Sequence, residues 1–359
     1  MEAPQTDRLF ALDLLRGLAA LAIVTRHFPW PGGEVGFLPR DYLAVDLFFI
    51  LSGFVLARAY WSRLSQRGGL QSFTIERLVR LAPLYVLATV FAATIAFVDG
   101  APLDAWAATL AANLFLLPGP RDAGLSPNLF AFVAPAWSLF WELIANLVFA
   151  VFAFRLRGPL MITIVLAGIL FLAVTAQHYG SLDVGARWTS FAGGASRVLF
   201  GFFAGVALFR IHGRLPVRVV LPDWLLGLVT LAAFAPATLL AFGAVYDFLI
   251  VVLLFPLLVL LGADARTTAL SRRAGARLGN VSYAAYLLHE PLVQLAKLFV
   301  PGERLGATGI AGLAALVAGT ILVAWAATRW VDTPLRLWIM RRRARPTSST
   351  REIASVGNS

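Results

Sequence analysis

Runs of about twenty apolar residues recur along nearly the whole chain, and a run of that length matches the thickness of a bilayer's hydrocarbon core. Hydrophobic residues make up 59% of the 359 and charged residues 14%, with a mean hydropathy of +0.79. Soluble domains average about 45–50% and about 25%. Lipid is the solvent that accommodates such a chain. In lipid every backbone polar group is paired internally, so spans are helices or a closed barrel. The apolar runs here do not alternate with period two, which selects helices. The expected fold is an all-α integral membrane protein of about ten transmembrane helices. They are placed near 9–28, 42–60, 82–98, 135–154, 159–177, 194–211, 223–242, 245–262, 280–300 and 307–330. Segment 103–118, bounded by Pro102 and Pro118, is expected as one further re-entrant or interfacial helix.

Arginine orients the spans. The net charge is +11, and the basic residues fall between apolar runs. That pattern reads as positive-inside topology and contact with anionic lipid, and it forms no continuous stripe for nucleic acid. Arg58, Arg63, Arg67, Arg77 and Arg80 mark one cytoplasmic connection, Arg155 and Arg157 another, Arg210, Arg214 and Arg218 a third, and Arg266, Arg272, Arg273 and Arg277 a fourth. Arg341, Arg342, Arg343 and Arg345 follow the last span. All lie on one side if 103–118 does not cross, which leaves ten crossings with both termini cytoplasmic. Residues 1–340 form the membrane domain, and 341–359 a basic, then disordered, tail. The first apolar run lacks a small-residue cleavage site and reads as a retained helix. With no Cys, thiolate nucleophiles and Cys-bound metals are excluded.

An ionisable side chain within a span costs about 2.5–3.5 kcal/mol on insertion scales, so such residues are the functional candidates. Arg16 and His27 stand eleven residues apart in the first helix. That is very nearly three turns, so both project from one face, roughly 16 Å apart. Asp46 precedes Ser52 and Gly53 in the second helix, where a carboxylate needs a buried partner. Arg77 and Arg80, at i and i+3, set two guanidiniums on one face at the cytoplasmic rim, a geometry that suits phosphate oxygens. Glu142 follows Trp137-Ser138-Leu139. Tyr283, His289 and Glu290 lie just before Pro291, which is expected to disrupt its helix there. Gly201 and Gly205 read as a helix-packing face. The two interior histidines and scattered carboxylates have no metal-site spacing, so no metal is expected.

In order and spacing these segments resemble acyltransferase family 3, the membrane O-acetylase type that modifies bacterial surface glycans, and the resemblance runs from Leu12 to Arg336. Arg16 and His27 are similar to its Arg-x10-His signature. Val45-Asp46-Leu47-Phe48-Phe49 with Gly53-Phe54 is similar to its second-helix motif, and Arg77/Arg80 to its Arg-x-x-Arg. Trp137-Ser138-Leu139 with Glu142, Arg197 with Gly205, and Ser282-Tyr283 with His289 and Pro291 follow in the same order. Glu142 stands without the second carboxylate or the tyrosine that many members carry.

The resemblance implies an acyl-CoA donor, acetyl-CoA first in line, entering from the cytoplasm across the inner (plasma) membrane. The acceptor is a hydroxyl of a glycan, lipid-linked sugar or small molecule. Arg77 and Arg80 then hold the CoA phosphates, and Arg16 orients the donor or stabilises developing negative charge. His27 acts as general base or transient acyl carrier, which suits an imidazole whose ordinary pKa is about 6.5. Glu142 and Asp46 fix these cations, and Ser52, Tyr283 and His289 are candidates for the substrate wall. A transporter or flippase for an anionic or glycan substrate is the rival reading, since intramembrane Arg, Glu and His also line substrate pathways.

Overall fold

A computed structural model describes residues 8–30, 38–64, 66, 68–121, 125–156, 158–216, 218–235 and 243–344, with side chains to 342. Residues 1–7, Arg67, Arg157, the end of the expected 223–242 helix, and the tail from Arg345 lie outside the described residues.

The regular structure of the described residues is all helical, with only isolated bridges Asn128–Arg187 and Pro222–Arg266 besides. In order the helices are α1 Phe10–Arg26, α2 Ala44–Leu64, α3 Gly69–Val98, α4 Leu103–Leu114, α5 Ala136–Phe152, α6 Pro159–Tyr179 and α7 Phe191–His212. There follow α8 Asp223–Phe234, α9 Gly243–Leu249, α10 Phe255–Ala263, α11 Ala269–Phe299, α12 Gly302–Ala307, α13 Gly309–Ala327 and α14 Thr333–Ala344. Among the described residues six helical stretches are long and apolar enough to cross a membrane: Asp41–Leu64, Gly69–Val98, Pro159–Tyr179, Trp188–His212, Gly243–Ala263 and Gly309–Arg342. The expected ten exceeds what length and composition support. α1 and α5 have 17 residues each and α8 has 12. α11 has the length but carries a polar first half, Ser271-Arg272-Arg273 to Asn280. α4, at 12 residues, rises roughly 18 Å and is too short to cross.

Several boundaries move for physical reasons. α3 begins at Gly69, well before the apolar run, so Arg77 and Arg80 stand inside the helix that crosses. α11 begins at Ala269 because Thr268 and Ser271 form a reciprocal capping box. Pro291 does not end α11, which continues to Phe299. A proline removes one helical hydrogen bond, and here α11 is held along its length by α1. Two π-helical turns, Ile250–Leu254 and Thr328–Asp332, sit just before Pro256 and Pro334. The missing proline N–H accounts for the change of register. The last helix runs on past the expected boundary at 340 to Ala344.

Burial sorts the bundle. The α2 and α7 spans are 72% and 67% buried, against 28% for α6 and 17% for the final span. The first two are the centre, and the others turn leucine, isoleucine and tryptophan outward to lipid. α2 and α7 meet closely because of glycine. A Cβ on Gly205 would overlap the Ile50 carbonyl, and one on Gly53 would overlap that of Phe202. Gly201 and Gly205 therefore form the packing face that their spacing suggests. That contact brings Asp46 of α2 against Arg197 of α7.

Candidate active site

Arg197 is 1% exposed and Asp46 0%. The guanidinium forms a two-point contact, Nε to Oδ1 at 3.0 Å and Nη2 to Oδ2 at 2.7 Å. Its remaining donors reach the carbonyls of Val184 at 2.7 Å and Tyr42 at 2.8 Å, and it lies 5.1 Å from the Trp137 ring. Asp46 is thus spent on Arg197 and lines neither the outer nor the inner cavity. The expectation that it holds Arg16 or His27 is corrected: helix packing gives it a different cation. Next to it Asp247 accepts from Arg40 at 3.0 Å, Tyr42 Oη at 2.8 Å and the Leu182 amide at 2.9 Å. These two networks fasten the 181–190 loop onto the bundle.

Beneath that loop lies an outer cavity of about 560 Å³. His27 is on its wall with Arg26, Trp137, Asp183, Arg187, Arg197 and Glu290. Arg26 is braced by Asp41 at 2.8 Å and by Asp183. Glu290 accepts from the Ala134 amide at 2.6 Å.

His27 is backed by a second histidine. His289 Nδ1 lies 3.0 Å from the Ala285 carbonyl, and its Nε2 lies 3.1 Å from His27 Nδ1. His27 Nδ1 is also 3.1 Å from the Ile23 carbonyl. A carbonyl only accepts, so the network assigns the His289 proton to Nδ1 and leaves its Nε2 as an acceptor. His27 then faces two acceptors through Nδ1 and carries its proton there. Its Nε2 is left unprotonated, the state a general base requires. His289 is 0% exposed and lines neither of the two cavities. Its place among candidate substrate contacts is therefore corrected: it stands behind His27.

An inner cavity of about 390 Å³ occupies the other end of α1. Arg16, Ser52, Arg77, Arg80, Glu142 and Tyr283 all line it, so six of the expected residues converge, although they come from five helices. Arg16 is held by Asp13 at 2.5 Å and by the Gly279 carbonyl at 3.2 Å. Its partner is one turn away in its own helix, where the expectation had Glu142 or Asp46. Glu142 instead accepts from Ser52 at 2.6 Å and Arg77 at 3.1 Å. Arg77 is buried, while Arg80 is exposed and has no ion pair among the described residues. Tyr283 donates to the Leu81 carbonyl at 2.7 Å.

Tyr286 alone lines both cavities among the described residues. Its hydroxyl is 2.7 Å from Ser138 Oγ and its ring packs edge-on to Phe48, centroids 5.6 Å apart. Arg16 and His27 thus share a helix face but open into different cavities. Arg16 can act on a group in the inner cavity, and the stabilisation of charge developing beside His27 falls outside its reach.

Sequence reasoning missed Arg26, Asp183, Arg187 and Tyr286, and it named Glu290 without giving it a role. Asp183 and Arg187 sit in a polar loop where a charge is no anomaly. Tyr286 reads as one more aromatic in an apolar run. Glu290 did carry a signal, as a carboxylate within an apolar segment.

A family model described as "Acyltransferase domain" matches residues 9–329. The curated relative "Protein 2 in picA locus" of Rhizobium radiobacter is 37% identical over 198 residues, a match covering 50% of this chain and 100% of that protein. No solved structure matches.

Proposed function

The chain belongs to acyltransferase family 3 and is a multi-pass membrane O-acyltransferase, and from that premise we propose that it moves an acetyl group from cytoplasmic acetyl-CoA to a hydroxyl on the far side of the inner membrane. The observation that carries this reading is the pair of cavities at opposite ends of α1. The inner one carries Arg16, Arg77 and Arg80, the outer one carries His27 with a free nitrogen beside Arg26, Arg187 and Arg197, and Tyr286 is their common wall. The exposed Arg80 at the rim of the inner chamber suits a phosphate-bearing donor, and His27 in the outer one suits a hydroxyl-bearing acceptor.

In this scheme Arg16, Arg77 and Arg80 hold the donor, with Arg77 fixed by Glu142. The thioester reaches past Tyr286 toward His27. His27 Nε2 takes the proton of the acceptor hydroxyl as its oxygen bonds to the thioester carbonyl carbon. The tetrahedral intermediate collapses, the C–S bond breaks, and the proton passes from His27 to the departing thiolate. The products are the ester and free CoA thiol. His27 Nδ1–H, shared between Ile23 and His289, keeps the ring in place while it is positively charged. We read the acceptor as a glycan, lipid-linked sugar or small molecule, since Trp137 and the polar groups around it offer both stacking and hydrogen bonding.

The proposed topology has ten crossings with both ends cytoplasmic. The count is completed by α1, α5, α8 and α11, of which α1, α5 and α11 turn polar residues to the cavities. Radiolabelled acetyl-CoA supplied to inverted vesicles tests the reaction. Label appearing in a lumenal acceptor is the expected result. Movement of an unlabelled solute with no label transferred is the result a transporter would give.

A further inference from the structure

Tyr60 and Arg80 line the inner cavity and also a smaller hollow of about 310 Å³, whose far wall is α14. On that wall stand Thr333, Arg336, Leu337 and Met340, spaced three and four apart and so on one helix face. α14 lies against α3, the helix that carries Arg80. Arg336 is anchored through one nitrogen, Nη2 to Asp332 Oδ2 at 2.7 Å, while its Nε has no partner. Arg80, between the two spaces, is unpaired among the described residues.

The two spaces differ in what they can hold. From Phe48 to Tyr60, the α2 residues along the inner cavity rise roughly 18 Å, and many of its walls are apolar. That chamber suits a slender, uncharged arm ending in a thioester. The hollow beyond Arg80 offers two guanidiniums, one of them without an ion pair among the described residues, and the apolar surface of Leu337 and Met340; its one carboxylate, Glu76, is taken up by Arg63 and Tyr60. Guanidinium forks match phosphate oxygens, and a flat apolar surface suits an aromatic base.

Building on the reading that acyl-CoA is the donor, we infer that the nucleotide end of the donor is held outside the inner cavity, between α3 and α14, with Arg80 and Arg336 on its phosphates. The last helix is then part of the donor site, and the arm alone threads inward past Arg77.

The test compares two donors with the purified full chain: acetyl-CoA, and S-acetylpantetheine, which has the arm and thioester but no nucleotide. Arg336→Gln should raise KM for acetyl-CoA about tenfold and leave KM for S-acetylpantetheine unmoved, so that the preference of wild type for the full donor collapses. Arg336→Lys should recover part of that preference. Because Arg336→Gln strands the Asp332 carboxylate, Asp332→Asn/Arg336→Gln provides a second variant without a buried unpaired charge, and the same collapse is expected. An equal rise in KM for both donors, as an anionic-lipid site on this face would give, overturns the inference. So does an unchanged preference in either variant. A wild type that transfers from neither donor overturns the acyltransfer reading and this inference with it, whereas an active wild type whose preference survives Arg336→Gln sinks this inference alone.

Discussion

Two carbonyls, those of Ile23 and Ala285, hold the protons of the histidine pair on the protein side and leave the opposite nitrogen of His27 for the outer cavity. Loss of a general base costs about 10²–10⁴-fold in rate. His27→Gln should therefore lose transfer by that much at an unchanged donor KM, because the donor cations line the other chamber. A His27→Gln enzyme with near wild-type turnover would remove this residue from the chemistry. His289 cannot serve as an independent structural control, since it touches His27. His289→Phe, which keeps a ring but no acceptor, should lower kcat while leaving donor KM in place. A loss confined to protein yield would make His289 a packing residue only. Arg197→Leu strands the fully buried Asp46, and breaking such a pair costs about 3–5 kcal/mol. The thermal midpoint in detergent should fall sharply, and Asp46→Leu/Arg197→Leu should recover part of the fall. An unchanged midpoint in the single variant would mean that water reaches Asp46. Of all this, the shared face of Arg16 and His27 was legible from spacing alone. The partners were not. Asp46–Arg197 and His27–His289 join residues 151 and 262 apart, and hydropathy tells which face a charge occupies but not which helix lies opposite.

At the level of the helix, apolar runs located most spans yet misplaced the starts of α3 and α11. Both begin with polar turns, ahead of Ala82 and Asn280, that a hydropathy reading leaves out. For α11 the signal was present as Thr268 and Ser271, and for α3 nothing local distinguishes a helix from a basic connection. α2 and α7 depend on glycine for their distance. Gly205→Val places side-chain atoms where the Ile50 carbonyl stands, and overpacking of that kind costs about 1–3 kcal/mol. Since the same contact aligns Asp46 with Arg197, the variant should lower both thermal stability and activity. Wild-type stability in Gly205→Val would show that the two helices can separate without disturbing the buried pair.

For the whole molecule, the proposed function carries an orientation with it: the inner cavity is to face the cytoplasm, the side the arginine pattern predicts. The absence of cysteine makes this simple to measure. Single cysteines at Gln66 and Leu270, both exposed, should escape an impermeant thiol reagent in intact cells, and one at Asp104, beyond the far end of α3, should react. The reverse pattern would invert the molecule and exchange the roles of the chambers. Tyr286 gives the arrangement a further meaning. A continuous aqueous passage between those chambers would be an electrical short across an energised membrane, carrying protons inward down their gradient. One aromatic ring, buttressed by Phe48 and hydrogen-bonded through its hydroxyl, is the wall the two chambers share. Under the proposed function, that wall would let a small acyl group leave the cell while its carrier stays home and the ion gradients stay charged.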